Sequence, residues 1–476
     1  MIFVAKIFGG VLEKFKGGTK VFRTLIIGAG GGGTGPLVYA AQKGLLDGLL
    51  DSGVAVIDRQ CQMGRGSIGQ YVIQSDTAGG TLLECLDSVP AKKVFVRTAQ
   101  SKIKQAIEQH RNVSVPLQLI GDYMTELGGD LQRYMETYKA NAPSKFFPRT
   151  TATDVRALPD GCLQAHVLVH AENGTVIDEG NIVAEKLVLS VGGKQNHART
   201  LASPIVPGLM AGQYADKVMF TDVAQQPQGV QAIEQILSES HAKRGSKKVL
   251  IIGASHSAFS TAWTLLNKVN GQTVPFGAGD VTLLHRDKLK LFYMSKEAAW
   301  QDGYTDFNDD DLCPVTQRVY RLGGLRLESR TLLMQIWGMS PGEAERRVRL
   351  MKIDAAQGAA HAAEIKVLFD EADLVIPAFG YEPNVMPIYD AHGNAINLMC
   401  QREGGRMVDT ECRVLDATGQ PLPNVYAIGF VTGYKLTGPL GGEPSYRGQN
   451  NGLWLYQNGV GEIIVNHLLK EEPVLA

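Results

Sequence analysis

Two short turns, one rich in glycine and one built of glycine, serine and alanine, carry the residues best suited to chemistry. The first is Gly28-Ala-Gly30-Gly-Gly-Gly33, and the second is Gly253-Ala-Ser255-His-Ser257-Ala258. In each, small residues stand at the first, third and sixth positions. The first permits a tight turn, the third lets the main chain approach a pyrophosphate, and the sixth lets a helix pack closely on a strand. Each turn is followed, one strand later, by a charged strand end: Asp58-Arg59 after the first, His285-Arg286 after the second. A carboxylate accepts hydrogen bonds from ribose hydroxyls, whereas an arginine suits a 2′-phosphate that an acid would repel. Asp287, next to Arg286, keeps the unphosphorylated dinucleotide in play. The pair of turns implies two nucleotides, and the chemistry that needs two is electron transfer between them. A glycine-rich structural turn is the plainer alternative for the first, and a surface arginine for Arg286.

Such turns need a strand before them and a helix behind. Residues 21–27 and 247–252 read as short, buried, β-branched strands. Helical spacing follows over residues 37–50 and 259–269, and second strands over 54–57 and 280–284. The turns lie too far apart in the chain for one sheet to present both to one ligand. Three further apolar runs end at glycines: residues 185–192, 372–383 and 422–429. The fold class expected is α/β, with two Rossmann-like three-layer domains, the second inserted into a split first.

Composition removes several other functions. The chain has 476 residues, room for two or three domains. Hydrophobic residues make up 44% and charged residues 20%, so sizeable cores can form. A formal charge of −1 gives no reason to expect nucleic acid or an anionic membrane as partner. No apolar run reaches the ~18 residues of a transmembrane span. The apolar start is interrupted by Lys6 and lacks a leader's cleavage signal, so a cytoplasmic location is expected. Residues 2–15 fit an amphipathic helix packed on the body, with a membrane-surface anchor as the other reading. The cysteines (Cys61, Cys85, Cys162, Cys313, Cys400 and Cys412) form no CxxC pair and no zinc-like spacing. They read as reduced structural thiols, and dithiol and metal chemistry drop out.

With both turns and the strand ends placed, the chain resembles the flavoproteins that carry two dinucleotide-binding domains. Within them it is most similar to the flavin-dependent N-hydroxylating monooxygenases of the lysine and ornithine hydroxylase type. The resemblance implies FAD at Gly28, Gly30, Gly33, Asp58 and Arg59, and NADPH at Gly253, Ser255, Ser257, Ala258 and Arg286. Residues 1–214 and 373–476 would then form the FAD-binding domain, and residues 215–372 the NAD(P)H-binding domain. Ala378-Phe379-Gly380-Tyr381 resembles the family's Ala-Thr-Gly-Tyr strand end, with Phe379 in place of threonine. Gly192-Gly193 resembles its first domain-crossing strand end, and the block from Gly64 to Gln70-Tyr71 falls where the family places residues beside the flavin ring. Three features depart. Gly429 is followed by Phe430 where the wider superfamily commonly has Gly-Asp, the Trp-His pair after the FAD acid is missing, and the Baeyer–Villiger histidine fingerprint is absent. They leave the fold intact and bear on the reaction subtype.

In such proteins NADPH reduces the flavin, and reduced flavin takes O₂ to a C4a-hydroperoxide that passes one oxygen atom to a nucleophilic nitrogen or sulfur. No acid–base residue stands out for that step, and none is assigned as catalytic; the site has to exclude water and hold polar groups in place. Gln70, Tyr71 and Asn450 are the polar residues expected near the ring, each with the plainer alternative of a solvated or satisfied group. The turn-rich residues 438–451, before a helix expected over 453–469, suit flavin or substrate contacts or a simple structural turn. Residues 300–313 hold Asp302, Asp306, Asp309, Asp310 and Asp311. An exposed loop is the preferred reading there, with recognition of a cationic substrate as the other. The function expected is a monooxygenase acting with O₂ on an amine or similar soft nucleophile. A dehydrogenase or reductase of the same fold is the alternative. A non-enzymatic flavin scaffold would have no need of the second turn.

Overall fold

The computed structural model describes residues 21–339 and 343–470. Strand β1 (Val21–Ile27) carries the fully buried Leu25 and Ile26, turns at Gly28 into helix α1 (Gly31–Lys43), and is flanked by the parallel β2 (Val54–Ile57). The helix begins inside the glycine run, earlier than apolar spacing alone indicates. It stops at Gly44, whose φ of 70° is left-handed. That glycine splits the single helix expected over 37–50, and Leu46–Asp51 forms a second, short one. The long helix α2 (Leu117–Thr137) then lays Tyr123, Met124, Leu127 and Leu131 into the core. Beyond it, β3 (Lys145–Phe147) extends the sheet past β2. Strands β4 (Thr150–Ala157), β5 (Leu163–His170) and β6 (Val176–Leu189) follow as an antiparallel meander. β6 has 14 residues and serves two neighbours: its outer part pairs with β5, while its inner part runs parallel to β1.

The second unit repeats the plan. β7 (Val249–Ile252), helix α3 (His256–Asn267), β8 (Val281–His285), helix α4 (Leu327–Trp337), β9 (Val348–Lys352) and β10 (Leu374–Pro377) follow in turn. The four strands make one parallel sheet in the order β9-β8-β7-β10. Alternate residues face opposite sides. Val249 and Ile251 enter one apolar cluster, whereas Leu250 and Ile252 enter another. Both faces are therefore covered, which is why these strands read as unbroken apolar runs.

β10 corrects the domain boundary. The sequence reading placed residues 373–476 in the first domain, but Leu374–Pro377 pairs with Val249–Ile252 of the second sheet. A buried parallel strand looks the same in either sheet, so pattern alone did not assign it. The chain returns with β11 (Ile388–Tyr389) beside β4, then β12 (Arg413–Leu415) and β13 (Pro421–Ala427), the last parallel to the inner end of β6. The parallel run β3-β2-β1-β6-β13 brings Asp58, Gly28, Ser190 and Gly429 to one carboxyl edge. Helix α5 (Gly459–Leu469) closes the described chain. Leu453–Tyr456 is a separate short helix, so the one expected over 453–469 is two pieces. The helix proposed for residues 2–15 lies outside the described residues. Among the described residues, no helix is long and apolar enough to cross a membrane.

Candidate functional site

At the edge of the first sheet, Gly28 has φ 96°, and a Cβ there would run into the carbonyl oxygen of Ser190. A Cβ on Gly33 would run into the Gly28 carbonyl, so this glycine seats α1 on β1. Gly30 stands against Gly66: a Cβ on it would lie 3.3 Å from the Gly66 Cα. Gly30 also precedes α1 with no side chain capping the helix. The first-turn N–H groups thus remain available to an anion, and the helix dipole favours one. Asp58 fixes the turn from the next strand. Its Oδ2 accepts the Ala29 N–H at 2.6 Å and its Oδ1 the Gln60 N–H at 2.7 Å. Burial pushes the Asp58 carboxyl above its ordinary range, opposed by these two bonds and by Arg59.

These groups open on a cavity of about 670 Å³, within the range of about 300–1,000 Å³ usual for small-molecule sites. Gly28, Gly30, Asp58, Arg59, Tyr71, Ser257, Tyr381 and Gly429 line it. The block beginning at Gly64 contributes Gly66, Ser67 and Ile68. Three residues expected to contact a cofactor, Gln70 and Asn450 near the ring and Gly380 at the strand end, stand elsewhere. Gln70 ends a 3₁₀ turn, exposed, while Tyr71 beside it turns inward. Gly380 is exposed with φ 85° and bends the chain after β10, so that Tyr381 rather than Gly380 reaches the cavity. Asn450 is buried, donating Nδ2–H to the Tyr434 carbonyl at 3.2 Å, and its neighbour Asn451 lines the cavity instead. Sequence reasoning missed Asp76, Ser190, Gln225 and the cavity role of Phe430, and reached Asn451 only as part of the stretch 438–451. Ser190 and Phe430 carried a findable signal, since each sits at a strand end beside a named glycine. Asp76 and Gln225 are brought in by tertiary packing alone.

Tyr71, Tyr381 and Phe430 form an aromatic wall. The Tyr381 and Phe430 rings meet edge-on, 5.0 Å between centroids. Burial raises the pKa of the Tyr71 hydroxyl; burial, and then Tyr71 and Asp222, raise that of Tyr381. Both phenols stay neutral donors at ordinary pH.

The second turn keeps the strand–turn–helix geometry. A Cβ on Gly253 would lie 2.9 Å from the Ala378 carbonyl oxygen, and Ala258 is fully buried where α3 meets the sheet. Ser255 precedes α3 without a side-chain capping bond. Ser257 alone of this turn lines the cavity; Gly253, Ser255, Ala258 and Arg286 do not. Arg286 is exposed, and its Nη2 donates to the carbonyls of Pro204 and Ile205, the latter at 2.7 Å. The acidic segment 300–313 does not line the cavity. Asp302 pairs with Arg330, Asp306 with Lys288 and Asp309 with Lys296, while Asp311 accepts the Tyr320 hydroxyl. Its charge is largely neutralised by the protein itself.

An uncapped helix N-terminus, a turn too tight for side chains and a carboxylate on the next strand fit an adenine dinucleotide at one end of the cavity, with aromatic and apolar walls beyond. The second turn keeps the tight glycine and the uncapped helix start, but its next strand ends in His285-Arg286 in place of a carboxylate.

Comparison with known proteins agrees. A family model described as an FAD binding domain matches residues 122–444, beginning after the first glycine turn. A curated CMP-5′-(3-aminopropyl)phosphonate hydroxylase from Streptomyces rubellomurinus is 27% identical over 461 residues, covering 95% of this chain and 98% of that protein. Two solved structures share the fold. An ornithine hydroxylase from Pseudomonas aeruginosa aligns over 94% of this chain and 99% of its own, with 14% identity and a TM-score of 0.51. A cadaverine monooxygenase from Erwinia amylovora, solved with FAD bound, aligns over 96% of each chain, with 12% identity and a TM-score of 0.54.

Proposed function

The chain belongs to the FAD-binding domain family, and on that footing we propose that this flavin-dependent oxidoreductase is an NADPH-using monooxygenase that oxygenates an amine or similar soft nucleophile. One observation carries the reading: a single cavity runs from the first glycine turn to Ser257 on α3, the helix that follows the second turn. One open space thus touches both nucleotide units. The similarity to a hydroxylase whose named substrate carries an amine supports the choice of nucleophile.

Bound FAD would supply the redox chemistry, taking hydride from NADPH and activating O₂ so that one oxygen atom reaches the substrate. The remaining work falls to the chain. The first-turn N–H groups of α1 would hold the pyrophosphate, and Asp58 would accept a ribose hydroxyl. Tyr71, Tyr381 and Phe430 would shield the reacting end from water, which an oxygen-transferring site has to exclude. Arg286 would meet the 2′-phosphate of NADPH with the guanidinium nitrogens not given to Pro204 and Ile205.

The test is direct. The purified protein is expected to carry a flavin absorption spectrum, to be reduced by NADPH, and to consume oxygen in step with product when supplied with aminoalkyl compounds. Flavin reduction with no amine-coupled oxygen uptake would sink the oxygenase reading in favour of a reductase.

A further inference from the structure

The turn-rich stretch 438–451 ends at Asn451, which stands open to the cavity. Its carboxamide oxygen is already committed. Oδ1 accepts the Val431 N–H at 2.8 Å and the Tyr456 hydroxyl at 3.4 Å. A flipped amide would set NH2 against the Val431 N–H, so this contact decides which end is oxygen. The two N–H groups of Nδ2 remain, and no described residue accepts them.

The partner of that oxygen is strained. Val431 is buried with φ 60°, a left-handed backbone that β-branched residues avoid. It follows Phe430 of the cavity wall and precedes a second left-handed turn at Gly433, φ 75°. Such a conformation persists only where the surroundings hold it. Asn451 holds its N–H. Gly193 leaves room for it: a Cβ there would run into the Val431 side chain and come within 3.4 Å of the Phe430 ring. Asn450 adds another tie, giving its main-chain and side-chain N–H groups to the Tyr434 carbonyl, each at 3.2 Å. Residues 450–451 thus fix the turn that carries Phe430.

Sheet order sets where this group lies along a bound dinucleotide. β2, β1, β6 and β13 are neighbours in that order, so Asp58, Gly28, Ser190 and Gly429 follow one another along the carboxyl edge. With a ribose at Asp58 and the pyrophosphate at the start of α1, the other half of FAD runs toward Ser190 and Gly429. Asn451 stands at that end. Its neighbour Leu453 packs on the first turn of α1, since a Cβ on Gly31 would run into it.

Resting on FAD at the first turn, as read above, we propose that the Asn451 carboxamide acts at both ends. Oδ1 holds the Val431 turn that carries Phe430, and Nδ2 donates to the pyrimidine edge of the flavin ring. Two-electron reduction places negative charge on that edge, so donors there favour the reduced ring over the oxidised one.

The test is the midpoint potential of the bound flavin, measured without oxygen, NADPH or amine against a reference dye. Asn451→Asp keeps an acceptor for the Val431 N–H and removes both donors. Asn451→Leu combined with Val431→Gly removes the donors without adding charge, and the glycine relieves the turn. Asn451→Asp is expected to weaken the hold on reduced relative to oxidised flavin by about tenfold or more, a fall of about 30 mV. The double variant should weaken it by about threefold or more, and Val431→Gly alone by less than about twofold. Thermal unfolding of the apoproteins reads the other end. Asn451→Leu should melt below the parent, Val431→Gly should recover part of that loss, and Asn451→Asp should melt close to the parent. An unchanged potential in both donor-free variants, or a melting temperature unmoved by Asn451→Leu, overturns the proposal. Should one donor-free variant fail to hold FAD, the other decides; failure of both while the apoproteins stay folded also overturns it, because loss of the donors leaves the pyrophosphate turn intact. Lowered potentials with no amine-coupled oxygen uptake would keep the role of Asn451 and remove the oxygenase, and the reverse pair of results would do the opposite.

Discussion

The Asp58 carboxylate holds the Ala29 N–H at 2.6 Å, so the acid at the end of the second strand grips the glycine turn that follows the first. The same side chain holds Gln60 through its other oxygen. In the protein alone it therefore fixes the turn, before any ribose hydroxyl arrives.

Asp58→Asn leaves one neutral acceptor oxygen and sets an NH2 donor against the other N–H, so one bond weakens and the other is lost. Hydrogen bonds to charged groups are worth about 1.5–3 kcal/mol, so FAD affinity should fall by about 10- to 100-fold. Flavin fluorescence titration of apoprotein measures it. Affinity within about twofold of the parent would remove Asp58 from the cofactor site.

Gly28→Ala tests the turn itself. The residue is left-handed, and its new methyl would press on the Ser190 carbonyl. A backbone carbonyl cannot step aside cheaply, so the variant should lose about 2 kcal/mol or more of stability, together with most bound flavin. Gly48→Ala is the control, because a Cβ there meets nothing within 4 Å. Thermal unfolding of the two apoproteins checks the difference.

How far the sequence reached can be judged residue by residue. The turn over Gly28, Gly30 and Gly33 was legible as a strand–turn–helix because that device is local: strand, turn and helix are contiguous and each glycine answers to a steric need. Leu374–Pro377 was legible as a strand but assigned to the wrong sheet, because sheet membership depends on its partner Val249–Ile252, far away in the chain. Gln70 and Asn450 were each one residue from the groups that line the cavity, Tyr71 and Asn451. Polarity marks a neighbourhood, but backbone direction decides which of two adjacent side chains turns inward. Asp76 and Gln225 left no pattern at all, since only tertiary packing brings them to the cavity.

Cys313 offers a pH test. Burial opposes ionisation of its thiol, but the Gly442 N–H at 3.3 Å and Arg321 at 3.4 Å donate to its Sγ, and the pKa comes down to about 6. The folded thiol then ionises well below the free value of 9.0. A depressed acid adds stability that is absent below the folded pKa, grows above about 6 and is complete above 9. Wild type should therefore gain melting temperature relative to Cys313→Ser as pH rises from 6 to 9. A constant difference across that window would show that the thiol stays protonated.

Arg286→Ala separates a nucleotide contact from a brace. The guanidinium ties down the Pro204 and Ile205 carbonyls, so its loss carries some structural cost whatever its ligand. If it also meets a 2′-phosphate, KM for NADPH should rise by about tenfold or more with KM for NADH little changed. Equal changes for both nucleotides would leave Arg286 as a brace for the 204–206 strand.

Phe430 occupies the place after Gly429 where an acid was the family expectation, and it makes the cavity wall apolar at that point. It is 42% exposed and rests edge-on against Tyr381, a contact of about 1 kcal/mol. Phe430→Ala removes that contact and opens the wall to water. If the pair shields an oxygen-transferring centre, FAD should stay bound while NADPH oxidation without product rises several-fold, by about three- to tenfold, because water then reaches a reactive species meant for the substrate. Phe430→Tyr should restore coupling, since it keeps the ring. The measurement is the ratio of product formed to NADPH consumed. An unchanged ratio in Phe430→Ala would mean that the ring at this strand end plays no part in keeping water from the chemistry.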